Sequence, residues 1–236
     1  MGKLRNHALF TCLAMMAPLA AHAGSINFDS SIPAGLAPNS SYFAGSSVDA
    51  DAQLTNQFES LGAIFNTIGG DPYAALIDLG TGHAVSGTNG VGTVSTSNTL
   101  NYTLDLDILL VVPGTLTPAV TDLISIQGDE IPSYGQVYYT AYDVNGNEIA
   151  SGQTTDTGGS TFSLSAPGIH EFRLHSQNGD VAYDNLVFDV PVLPTDPGPV
   201  SAPEPATLGL TGLALAGVYT LKRKLNASRN RQGHKP

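Results

Sequence analysis

Cysteine, tryptophan and positive charge are the scarce commodities of this chain. Its 236 residues include one cysteine and no tryptophan. The cysteine, Cys12, falls within the first apolar stretch, so the rest of the sequence has no disulfide framework, no thiolate metal ligand and no cysteine nucleophile. Nine lysines and arginines stand against twenty acids. Between the N-terminal stretch and Lys222 the one basic residue is Arg173, which excludes the clustered cations that nucleic-acid phosphates require. Neither a G-x-S-x-G elbow nor an H-E-x-x-H motif occurs, and His83, His170 and His175 are scattered. Asp129 and Glu130 are the one pair that a glycoside hydrolase reading would invoke, but neighbours on a strand point to opposite faces. An organised catalytic set is missing, and the chain reads as a non-enzyme.

Long helical stripes are also missing. Short apolar runs broken by glycine, serine, threonine and aspartate predict an all-β domain, a β-sandwich or jelly roll, over residues 24–190. In VYYTAYDVNGNEIASGQ, Val137, Tyr139 and Ala141 alternate with Tyr138, Thr140 and Tyr142 before an Asn-Gly turn, which predicts a hairpin. Asp143–Glu148 reads as that turn and not as a calcium loop, because its glycine is misplaced and the distal glutamate is lacking. A second hairpin is expected around Asn178-Gly179, with Phe172 and Leu174 on one face. Alternation of Leu100, Tyr102, Leu104 and Leu106 predicts one long strand ending at Pro113, with Asp105 and Asp107 on a solvated acidic face. Around Leu54–Leu61 one helical turn at most is expected, followed by a strand through Ile64 and Phe65. Alternation in VAYDNLVF sets Asp184 on the same face as Leu186 and Phe188, where a carboxylate needs backbone donors, Arg173 or an ion.

The two ends of the sequence read as addresses. Lys3 and Arg5, an apolar segment and small residues at Ala21 and Ala23 form a signal peptide over residues 1–23, with cleavage by signal peptidase after Ala23. Prolines crowd residues 191–202, which predicts an extended linker. Ala206–Leu221 is nearly all apolar, and as a helix it would reach roughly 24 Å, a little short of a hydrocarbon core. Lys222, Arg223 and Lys224 follow and can snorkel to close the deficit. They place the C-terminus on the cytoplasmic side, with the domain outside. This predicts a single transmembrane helix at the inner membrane, followed by a polar basic tail over residues 225–236.

Pro203-Glu204-Pro205, the apolar segment and the basic cluster, in that order, resemble the PEP-CTERM sorting signal of Gram-negative bacteria that make extracellular polysaccharide. The resemblance covers residues 203–224. It implies an exosortase, a membrane protease or transpeptidase, as the partner that reads Pro203, Glu204 and Pro205, and it implies a protein anchored before processing and then released to the cell surface. LTNQFESLGAIFNT, AYDVNGNEIASG and AYDNLVF further resemble the jelly-roll, galactose-binding-like domains that many such proteins carry. That second resemblance implies a structural or polysaccharide-associated role, with a carbohydrate-binding module as the alternative; for the latter the residues themselves offer Tyr138 and Tyr142, closely spaced rings on which sugar faces could stack. Because related jelly rolls often bind a structural calcium near their first and last strands, it also implies Ca2+ at Asp184, helped by Asp29 or Glu59.

Overall fold

The computed structural model describes residues 24–30, 32–68 and 74–194. Their fold is all-β: two antiparallel sheets face one another across an apolar core. The first sheet runs in the order β10 (Thr161–Ile169), β7 (Thr121–Gly128), β12 (Tyr183–Phe188), β5 (Asn89–Thr93), β4 (Ala74–Asp78) and β2 (Gln53–Leu54). Short β1 (Gly24–Ile26) lies against β12. The second sheet is β3 (Ala63–Ile68), β6 (Asp105–Leu110), β11 (Glu171–Ser176), β8 (Gln136–Tyr142) and β9 (Glu148–Thr155). From β5 onward the chain repeatedly crosses between sheets, as a jelly roll does.

Inward residues at period two build the core. Phe65, Leu106, Ile108, Val137, Tyr139, Phe172 and Leu174 come from the second sheet, and Ile124, Ile126, Phe162, Leu186 and Phe188 from the first. Phe28, Phe58 and Phe65 meet edge to face, with centroids 5.6–5.7 Å apart, the arrangement that ring quadrupoles favour. The outer face of the first sheet carries a second apolar cluster of Val48, Ala75, Ile77, Leu79, Leu100, Tyr102 and Ala182. Strand β4 is therefore buried on both faces, Ala74 and Leu76 facing one core and Ala75 and Ile77 the other.

The expected hairpin is β8–β9. Gly146 takes φ +78 in its turn, and the Asp143 carboxylate accepts the N–H groups of Asn145 and Asn147 at 2.8 and 2.9 Å. Within Leu54–Leu61 the helical content is one 3-10 turn, Glu59–Leu61.

Three expectations change. The long strand is broken: Asn101 accepts from Thr103 in an Asx turn, so Leu100 and Tyr102 serve the outer cluster and Leu106 the inner core. Asn178-Gly179 joins no hairpin, because β11 and β12 belong to different sheets; the Asp129 carboxylate accepts the Ala182 N–H at 2.9 Å and draws the chain across. The acidic face is not fully solvated, since Asp107 is only 6% exposed.

Candidate functional site

Strand β12 carries a bulge. Its register against β7 shifts between Asp184 and Val187, and Asn185 within it takes φ +49. The extra residue reverses the alternation, so Asp184 pairs with Gln127 and points away from the face that Leu186 and Phe188 present to the core. The expectation that Asp184 shares their face is corrected by this bulge.

Asp184 is nonetheless fully buried, beneath the loop that joins β4 to β5. Its Oδ2 accepts the Ser86 N–H at 2.7 Å and its Oδ1 the Asn185 N–H at 2.6 Å. Arg173 is not its partner; that guanidinium pairs with Glu171 on the other sheet. Burial raises the Asp184 carboxyl above the ordinary range, its hydrogen bonds counteract this, and Asp29 nearby raises it further.

Asp29 arrives because β1 lies beside β12, which puts the residues just after β1 near Asp184. Its Oδ1 accepts from the Thr88 and Asn89 N–H groups at 2.8 and 3.1 Å. Gly87 makes this approach possible, for a Cβ there would stand 2.1 Å from the Asp29 carboxyl carbon, and its φ of +55 suits glycine. Ser86 Oγ is the hub. Asp29 Oδ2, both Asp184 oxygens and Asn185 Oδ1 surround it at 3.0–3.4 Å, and Asn27 donates to it at 3.1 Å.

Glu59 does not join them. It occupies the 3-10 turn, and among the described residues no three acidic, histidine or cysteine side chains converge as a metal-binding group. Sequence pattern does not single out Ser86 or Asn185, because their partners are remote in the chain; the glycine after Ser86 is the one local sign of close approach.

Tyr138 and Tyr142 do share one outer face of the second sheet, opposite His175 and Glu171. Tyr138 is 41% exposed. Tyr142 is covered by Arg173, whose Cζ lies 4.7 Å from the ring centroid. Asp107 and Glu171 sit together on that face, and burial first, then Glu171, push the Asp107 carboxyl up to about 8.

Pro203, Glu204, Pro205, Lys222, Arg223 and Lys224 lie outside the described residues, as do the leader and the apolar segment between the two sorting clusters. No helix among the described residues is long and apolar enough to cross a membrane.

No curated protein matches the chain. Among solved structures, an arabinose-bound α-L-arabinofuranosidase is 14% identical over 68% of this chain and 29% of its own, with a TM-score of 0.31. The enzymatically active domain of tailspike protein 4 from bacteriophage CBA120 is 8% identical over 61% of this chain and 22% of its own, with a TM-score of 0.26. A DUF4465 family protein from Bacteroides caccae is 13% identical over 64% of this chain and 93% of its own, with a TM-score of 0.27. The chain thus spans less than a third of the first two, and likenesses this distant carry no argument about activity. The family model of the PEP-CTERM protein-sorting motif matches residues 201–224, so this chain carries a PEP-CTERM sorting signal behind an all-β sandwich.

Proposed function

We propose that the protein is a cell-surface or extracellular-matrix component of a Gram-negative bacterium. Its leader takes it across the inner membrane, its apolar segment holds it there, and an exosortase cuts near Pro203-Glu204-Pro205. The sandwich then serves a structural or polysaccharide-associated role. The observation that carries this reading is the sorting-motif match at residues 201–224 in a chain that opens with basic, apolar and small residues in signal-peptide order.

A non-catalytic sandwich fits the side chains better than a glycoside hydrolase does. Glycosidase carboxylates flank a sugar bond several ångströms apart, whereas Asp129 is buried with its two oxygens taken by the Ile131 and Ala182 N–H groups, and Glu130 is its exposed chain neighbour. Replacing Pro203, Glu204 and Pro205 with alanine in the producing cell tests the sorting reading. Full-length protein should then accumulate in the inner membrane; unchanged processing would overturn it.

A structural Ca2+ is the second reading, and the surroundings of Ser86 favour it. One hydroxyl carries one proton, yet four carboxylate or amide oxygens lie within 3.0–3.4 Å of its Oγ. A surplus of oxygen acceptors suits a hard cation. Asp29, Asp184 and the Asn185 amide oxygen would hold it, and it would tie the first strand to the last.

A further inference from the structure

We propose that a cleft over the outer apolar cluster of the first sheet, between the Tyr42-Phe43 turn and the loops carrying Ile131 and Asp180, binds a pyranose ring of a polysaccharide bearing no anionic groups. This deepens the polysaccharide-associated reading above and rests on it.

One wall is an aromatic pair that the sequence set in small polar company, SSYFAGSS. Phe43 is 65% exposed. Its ring lies 4.5 Å from that of Tyr42 at an interplanar angle of 30°, and Tyr42 in turn meets the edge of His83 at 5.6 Å. An exposed phenylalanine on a loose loop would fold back onto apolar surface, and this loop is not loose. Gly45 donates to the Leu100 carbonyl at 2.8 Å, Leu100 donates back to Ser46 at 2.9 Å, and Tyr102 Oη donates to the Tyr42 carbonyl at 2.6 Å. The turn therefore presents Phe43 to water in a fixed orientation, the preorganisation that lets a single ring anchor a ligand.

The facing wall is fixed as firmly. Asp129 accepts the N–H groups of Ile131 and Ala182 through separate oxygens, each at 2.9 Å, so one buried carboxylate holds both loops. Glu130 donates to the His83 carbonyl at 2.7 Å and links this wall to the loop beneath Tyr42. Leu79, Tyr102 and Ala182 form an apolar floor, and the cleft encloses about 210 Å³. That is small for a drug-sized ligand and suits one sugar ring.

The lining selects the ligand's chemistry. An exposed aromatic face takes the C–H face of a pyranose, while Asp180 at the rim accepts its hydroxyls. Anionic sugars are disfavoured: burial first, then the nearby charges of Asp156 and Asp180, push Asp129 up to about 7, and burial and Asp156 likewise raise Asp180. The one arginine of the described residues, Arg173, is committed to Glu171 on the second sheet and offers no counter-charge here.

The test uses the full chain in detergent on an array of neutral, amino and uronate oligosaccharides, followed by titration calorimetry with the tightest binder. Wild-type protein, Phe43→Ala and Tyr138→Ala are compared, with melting temperatures as the control for folding. Binding to neutral or amino sugars, weakened about tenfold or more by Phe43→Ala at unchanged melting temperature, is the expected result. A preference for uronates, or binding indifferent to Phe43→Ala, overturns the cleft. Loss of binding in Tyr138→Ala alone overturns the cleft yet leaves polysaccharide association standing. Silence across the whole array defeats both, without touching the sorting signal.

Discussion

The carboxylate of Asp184 on the last strand accepts the backbone N–H of Ser86 at 2.7 Å, across 98 positions of sequence. This bond fastens the β4–β5 loop to the bulge of β12, and the Asp184 carboxylate is shut off from water that could replace it. Asp184→Ala removes an acceptor from three donors at once and should destabilise the domain by about 2–4 kcal/mol, read as a lower urea midpoint at unchanged slope. A midpoint within experimental error of wild type would show that the bond is dispensable.

Calcium should raise the melting temperature if the oxygens around Ser86 receive it. Binding to the folded state alone adds stability in proportion to the logarithm of the free ion concentration, so the increase should continue with concentration once the site begins to fill. Asp29→Asn should abolish that response while magnesium produces little in either protein. Identical melting curves in millimolar calcium and in chelator would remove the ion from the account.

The buried carboxyl of Asp107 sets a pH dependence of definite sign. Its folded value, about 8, lies above its unfolded value near 3.9, so the folded chain binds the extra proton between those limits. Stability from this group is fully present below about pH 4 and is lost as pH rises through about 8. Glu171 and Asp105 beside it act in the same direction, and Arg173 opposes them. Melting temperature should therefore be lower near pH 8 than near pH 5. Asp107→Asn should flatten that slope and stabilise the protein at the upper end by on the order of 2 kcal/mol, near 5 °C for this size.

Gly152 stands opposite Tyr139 in the β8–β9 pair. A Cβ at Gly152 would lie 2.4 Å from a carbon of the Tyr139 ring. That ring cannot swing aside, because its hydroxyl is 2.9 Å from Thr154 Oγ1 and it packs on Phe162 and Phe172. Gly152→Ala should cost about 1–3 kcal/mol through overpacking, measurable by thermal unfolding. A variant as stable as wild type would mean that the ring has room the structure does not provide.

The β8–β9 hairpin was legible in the sequence because everything that fixes it is local: period-two alternation and an Asn-Gly turn. Residues 100–113 misled for a physical reason. Leu100 and Tyr102 serve an outer cluster and Leu106 an inner one, so two short stretches packed on different cores mimic one amphipathic strand. Asp184 stood out as a carboxylate among apolar residues, but the bulge that turns it to the other face leaves no mark except Asn185, a residue that tolerates positive φ. Ser86 was invisible because its partners are remote in sequence. Phe43 does carry a local sign: two aromatics in a run of serine, alanine and glycine have no strand pattern to bury them.

Terminal peptide mapping by mass spectrometry, on protein recovered from the surface fraction of the producing cell, shows whether both addresses are removed. Sorted protein should begin at Gly24 and end close to Pro203-Glu204-Pro205, with the apolar segment and the basic cluster gone. Surface protein that still carries Ala206–Lys224 would contradict the sorting reading.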